Sequence, residues 1–113
     1  MPTPPVAVID IGSNSIKILI ATRAADGSVQ PLKVRTLDAR ISAGLSQASP
    51  NLSEAGILRG VAAVVDLLAD AAAAGAGRIA LVATSAVRDA GNGREFQARV
   101  RAATGHDIRI LSG

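Results

Sequence analysis

Val6-Ala7-Val8-Ile9-Asp10-Ile11-Gly12-Ser13-Asn14-Ser15-Ile16-Lys17-Ile18-Leu19-Ile20 reads as two β-type runs joined by a short polar turn. The first run is nearly all apolar and β-branched, the pattern of a strand covered on both faces. In the second, Ile16, Ile18 and Ile20 alternate with Lys17, Leu19 and Ala21 at period two. A strand follows the turn, which separates it from Walker and dinucleotide-type glycine loops, since those open onto a helix N-terminus. Gly12 lacks a Cβ, so its backbone is free to take unusual dihedrals and to approach a ligand closely, and successive N–H groups can form an anion-binding nest. Ser13, Asn14 and Ser15 add short side-chain donors. Asp10 ends an apolar strand, where an ion or water must compensate its carboxylate. These residues suit a phosphate cradle with a divalent cation beside it. The plainer alternative is a hairpin whose Asp, Ser and Asn satisfy turn backbone.

C-terminal to this stretch, Ala25-Asp26-Gly27-Ser28 is an Asp-Gly hairpin turn between a second strand ending near Ala24 and a third over Val29–Leu37. Asp38 to Leu52 is too long for a simple turn and reads as a functional or mobile loop. Within it, Arg40 is expected to face solvent. Ser53 caps a helix with Glu54 in its first turn. Ile57, Val61, Val64, Val65, Leu68 and Ala72 mark its apolar face, and Gly75 and Gly77 end it. Arg78–Ala83 has a buried-strand pattern, and the helix before it is long enough for a parallel crossover. Thr84 to Ala90 leaves the carboxyl end of that strand, the edge where open α/β sheets place ligands. There Arg88 follows Ser85 by about one helical turn and can turn its guanidinium to a phosphate or pair with Asp89. Asn92 and Glu95 have capping-box spacing ahead of Phe96, Val100 and Ala103, with Gly105 closing the helix. Asp107–Leu111 is the last strand. His106 lies in the turn before it, with no second ligand at metal-site spacing.

At 113 residues and 49% hydrophobic content, one domain with a packed core is the upper limit. With one Phe and no Trp or Tyr, that core must be built from Ala, Val, Ile and Leu, and base-stacking platforms are excluded. The net charge of +3 comes mostly from scattered arginines, which form no basic run of the kind nucleic-acid binding needs. Absence of cysteine rules out disulfides and thiolate metal sites. No leader-like segment or bilayer-length apolar run is present, so a cytoplasmic protein without membrane or nucleic-acid partners is expected.

Asp10-Ile11-Gly12-Ser13-Asn14-Ser15 resembles the first phosphate loop of the exopolyphosphatase and guanosine pentaphosphate phosphohydrolase (Ppx/GppA) family. Arg40-Ile41-Ser42-Ala43-Gly44-Leu45, Ala83-Thr84-Ser85-Ala86-Val87-Arg88-Asp89-Ala90 and Ile110-Leu111-Ser112-Gly113 resemble the same family in the same order. The resemblance implies an α/β, ribonuclease-H-like half-domain of the actin, sugar-kinase and chaperone-ATPase type, with a mixed five-stranded sheet in the sequence order βββαβαβ. It also implies that residues 1–113 are the N-terminal part of the first such domain, the rest of that domain and a second domain being missing. The implied activity is hydrolysis of the terminal phosphoanhydride of polyphosphate or guanosine pentaphosphate. Gly12, Ser13, Asn14, Ser15 and Arg88 then bind substrate, and Asp10 serves Mg²⁺ through water. No catalytic residue lies in the chain, because the family's water-activating glutamate is expected beyond Gly113, so the chain alone is expected to be inactive. The longer protein is a candidate homodimer. The alternatives are an ATP-binding sugar-kinase or chaperone-like ATPase fragment, and a non-catalytic binding or assembly module.

Overall fold

The computed structural model describes residues 4–43 and 51–112. Three strands come first, β1 (Val6–Ile11), β2 (Ile16–Arg23) and β3 (Val29–Leu37). Helix α1 (Glu54–Ala73), strand β4 (Arg78–Ala83), a short helix α2 (Ser85–Arg88), helix α3 (Gly93–Thr104) and strand β5 (Ile108–Ile110) follow. The sheet order is β3-β2-β1-β4-β5. β1 and β2 pair antiparallel, as do β2 and β3, while β4 runs parallel to β1 and β5 parallel to β4. This is the mixed five-stranded sheet of a ribonuclease-H-like half-domain, with one helical turn, α2, added to the expected order.

The β2 alternation sets the layers. Ile16, Ile18 and Ile20 are fully buried, together with Ala7, Ile9 and Ile11 of β1 and Leu81 and Ala83 of β4. Against them pack Ile57, Val64, Leu67 and Ala71 of α1 and Phe96 and Val100 of α3. Each large apolar side chain removed from water there contributes roughly 1.5–3 kcal/mol before chain entropy is counted. The opposite sheet face is open. Val6, Leu19 and Val34 are exposed and Val8 is half-buried, so the expectation that β1 is covered on both faces is corrected. Its apolar run follows from β-branched propensity as much as from burial.

Loops and caps mostly follow the sequence. Asp26 Oδ1 accepts from the Ser28 amide (2.9 Å) and hydroxyl (2.6 Å), and Gly27 takes the positive φ of the turn. Ser53 Oγ accepts from the Gly56 amide at 2.9 Å, and Gly75 and Gly105 take positive φ after α1 and α3. On α1 the buried face is rotated from the expected one: Leu67 is buried, whereas Val65 is 47% exposed and Ala72 is exposed. Leu67 and Ala71 pack into the core instead, and on the same side of the sheet Lys33 and Arg35 of β3 engage Asp70 and Asp66 of the helix.

The capping box at Asn92 does not form. Asn92 precedes α3 but makes no side-chain cap bond. Its amide group instead clamps the Leu52 backbone, Oδ1 accepting from the Leu52 N–H at 2.8 Å and Nδ2 donating to the Leu52 carbonyl at 2.9 Å. Ala103, expected on the buried face of α3, is exposed. Residues Gly44 to Pro50, which include the Gly-Leu end of the Arg40–Leu45 resemblance, lie outside the described residues, as do Met1 to Thr3 and Gly113.

Candidate functional site

Register brings three segments to one sheet edge. Ile11 at the end of β1 pairs with Ala83 at the end of β4, which pairs in turn with Ile110 at the end of β5. The Gly12–Ser15 turn, the Thr84–Arg88 segment and Leu111 therefore leave adjacent strands at their carboxyl ends. Neighbouring strands lie about 4.8 Å apart.

The turn between β1 and β2 is closed by the Gly12 N–H donating to the Ser15 carbonyl at 3.0 Å. Gly12 is required for space: its φ is not in the left-handed region, so the expected dihedral freedom is not used there. A Cβ at this position would stand 2.9 Å from the Ser15 carbonyl oxygen. Asn14 is exposed, and Gly12, Ser13 and Ser15 are half-buried.

The strap that follows β3, residues 38–43, lies against this turn. The Arg40 amide donates to the Asn14 carbonyl at 2.9 Å, and both the amide (3.3 Å) and the hydroxyl (3.0 Å) of Ser42 donate to the Ser13 carbonyl. The peptides are trans, so pinning these two carbonyls on the strap turns the N–H groups of Asn14 and Ser15 the opposite way. Among the described residues, neither amide has a protein acceptor. Two adjacent amides without a protein acceptor are donors of the kind an anion takes. Of the loop's amides, Gly12 is spent internally and Asn14 and Ser15 are presented.

Asp10 lies on the open side of the sheet, because Ile9 and Ile11 beside it point into the core. It is exposed, directly across from Lys17 in the β1–β2 register, and forms no ion pair among the described residues. A single exposed carboxylate beside an anion loop fits Mg²⁺, which keeps waters and shares ligands with substrate phosphates. No group of three His, Cys, Asp or Glu capable of holding a metal alone occurs among the described residues.

Arg88 ends α2 at the same edge, but its guanidinium is engaged locally. Nε donates to Asp89 Oδ1 at 3.0 Å and Nη1 to the Leu111 carbonyl at 3.2 Å. The Asp89 carboxyl is held below the usual carboxylate range by this hydrogen bond, burial opposing it weakly. Of the two readings of Arg88, pairing with Asp89 is the one seen. The structure thus gathers Asp10 and Gly12–Ser15 directly and places Arg88 on the neighbouring strand end, tied to Asp89 and Leu111. Arg40 faces solvent, its Nε 3.0 Å from Asp38. His106 takes a turn role, its amide donating to Thr104 Oγ1 at 3.1 Å.

A concavity lies elsewhere on the sheet. Lined by Pro4, Val6, Val8, Leu19, Ala21 and Arg78, it sits on the open face toward the opposite end of β1 from the turn. It is mostly apolar and carries no carboxylate, so the polar turn remains the better candidate for phosphate chemistry.

The sequence marks residues 38–52 as a loop of interest but not its grip on the turn, and it gives no sign of Arg59, whose guanidinium donates to the carbonyls of Ala39 and Arg40 at 2.7 Å each. Arg59 occupies an exposed position of a helix, where arginine is unremarkable until the strap is seen beneath it.

The chain is similar to exopolyphosphatase 1 of Mycobacterium tuberculosis, with 28% identity over 94% of this chain and 30% of that protein. It is 35% identical to the guanosine-5'-triphosphate,3'-diphosphate pyrophosphatase of Vibrio cholerae, over 98% of this chain and 22% of the relative. Among solved structures, the Aquifex aeolicus Ppx/GppA family member superposes with a TM-score of 0.88 at 27% identity, over 96% of this chain and 35% of that one. The chain thus spans about a third or less of the length of each. The Ppx/GppA phosphatase family model matches residues 19–113, beginning after the phosphate-loop candidate, while the relatives' matches take in nearly the whole chain. The family model takes in most of the sequence and the fold superposes on a solved member, and the chain belongs to the Ppx/GppA phosphatase family.

Proposed function

We propose that this chain is the phosphate-gripping part of a phosphoanhydride hydrolase acting on polyphosphate or guanosine pentaphosphate. The observation that carries the reading is the pair of Asn14 and Ser15 amides turned outward beside Asp10 at the carboxyl edge of the sheet. Relatives named for each of the two substrate classes support it. Phosphoryl transfer is mostly positioning and electrostatics, so a backbone cradle and a nearby cation supply much of what the reaction needs.

In this reading the turn between β1 and β2 holds the phosphate chain through main-chain N–H groups, assisted by the Ser13, Asn14 and Ser15 side chains. Asp10 would hold Mg²⁺ through water, and the ion when bound would supply charge neutralisation at the phosphate. Arg88 serves the transferred or neighbouring phosphate once it exchanges Asp89 for it, a swap that a solvent-exposed ion pair permits. The base that activates the attacking water comes from outside this sequence, in the remainder of the domain. The isolated chain therefore binds phosphate weakly and does not turn over.

The test grafts residues 1–113 in place of the matching part of the Vibrio cholerae relative and follows phosphate release from both substrates against magnesium. The graft is expected to hydrolyse at least one of them. Asp10→Asn is expected to lower activity and shift the magnesium dependence together, with circular dichroism unchanged. A folded graft with Asp10→Asn and an unaltered magnesium titration would refute the cation role.

A further inference from the structure

We propose that Arg59 is a positioning residue of the phosphate loop, fixing the outward amides of Asn14 and Ser15 from the far side of the strap without touching the anion. The proposal rests on the reading that the turn at residues 12–15 binds phosphate, and adds to it the device that holds the turn in shape.

The chain of contacts is continuous. Arg59, in the second turn of α1, donates through Nε to the Ala39 carbonyl and through Nη2 to the Arg40 carbonyl, both at 2.7 Å. These carbonyls belong to the strap whose Arg40 and Ser42 amides donate to Asn14 and Ser13. Arg40 is, among the described residues, the one non-glycine with positive φ, at 48°. A side chain in that conformation persists only where surrounding contacts over-determine it. The contacts here are Arg59 and the Ala43 amide on its carbonyl, and the Asn14 carbonyl on its amide. A planar guanidinium meets two successive carbonyls with a fixed fork of N–H groups, a geometry the flexible ammonium of lysine does not hold.

The other side of the strap is equally committed. Ile41 is fully buried, and α1 presents Gly56 and Gly60 to it. A Cβ on Gly56 would collide with the Ile41 carbonyl, and one on Gly60 would stand 2.9 Å from Ile41 Cγ2. The helix is thus shaped to bring Arg59 and the strap together. Since the strap holds the two turn carbonyls, release of the strap frees both peptide planes and scatters the donors. If the turn then keeps the binding geometry a tenth of the time, apparent affinity falls roughly tenfold.

The test measures tripolyphosphate binding to the 113-residue chain by calorimetry, and amide hydrogen exchange in the same samples, for wild type, Arg59→Gln, Arg59→Lys and Arg99→Gln. Arg99 pairs with Glu54 at 2.8 Å, so its loss removes a comparable α1 contact away from the strap. Arg59→Gln is expected to weaken binding roughly tenfold and to speed exchange at Arg40 and Ser42, Arg59→Lys to fall between, and Arg99→Gln to match wild type. Ser42→Ala removes the hydroxyl bond to the Ser13 carbonyl, leaving the weaker 3.3 Å amide bond there, and is expected to weaken binding severalfold, which keeps the test decisive if Arg59→Gln does not fold. Wild-type binding in every folded strap variant would overturn the role of Arg59 and leave the phosphate loop standing. A wild-type chain that binds no tripolyphosphate while exchange at Arg40 and Ser42 still responds to Arg59→Gln would instead overturn the loop reading, and the functional role of Arg59 with it.

Discussion

Gly12 shows how a residue chosen for one reason in the sequence serves another in the fold. Its lack of a Cβ suggests dihedral freedom, yet the structure uses the space: the Ser15 carbonyl closes over it at the distance of a hydrogen bond. Gly12→Ala is therefore expected to open the turn, costing about 1–2 kcal/mol in urea denaturation and roughly tenfold or more in tripolyphosphate affinity. Asn92 gives the parallel case. Its type and spacing match a helix cap, but its two-point clamp on Leu52 depends on a residue 40 positions away, which no local pattern reveals. Asn92→Ala is expected to lose about 1–3 kcal/mol because it strands the half-buried amide and carbonyl of Leu52. Aspartate there, which keeps one acceptor, should recover part of the loss.

At the scale of elements, the alternation in β2 was fully legible, since a period of two leaves no choice of face. Ile18→Thr is expected to cost about 2–4 kcal/mol and Leu19→Thr under about 1, measured by chemical denaturation, because only the former faces α1 and α3. The all-apolar β1 was legible as a strand but not as one-sided, because β-branched residues favour strands whether or not a second layer covers them. The α1 face differs from the expected one by about one residue position, because it is Leu67 and Ala71 that meet the core, a choice that packing across the sheet makes and the helix's own pattern does not. Gly60 carries the same lesson. Helix propensity favours alanine there by about 1 kcal/mol. A Cβ would stand 2.7 Å from Phe96 Cε1, so Gly60→Ala is expected to destabilise by about 1–3 kcal/mol despite that gain.

For the whole molecule, the order of elements followed from the sequence because each strand ends in a turn signal and each crossover is long enough for a helix. The candidate site was legible at Asp10 and Gly12–Ser15, which are contiguous, and the loop after β3 was legible as a segment of interest. Its contact with the turn and the role of Arg59 were not, because the chain returns there only through the fold. No helix among the described residues is long and apolar enough to cross a membrane. The β3–α1 ion cluster sets an acid response. Asp70 is held below the usual carboxylate range first by its hydrogen bond from Arg35 and then by Lys33. Its folded value is the lower one, so its stabilisation is complete above the unfolded value and is lost as pH falls below about 4. Asp70→Asn is expected to be less stable than wild type near about pH 6, with the gap narrowing near about pH 3, as read from urea midpoints.

All of this turns on two backbone amides facing an anion. Amide NMR spectra of the 113-residue chain, titrated with tripolyphosphate and magnesium, test that directly. The Asn14 and Ser15 resonances, with Ser13 beside them, are predicted to move furthest and to saturate together. Shifts confined to scattered arginines such as Arg23, Arg78 and Arg109, with Asn14 and Ser15 unmoved, would contradict the account.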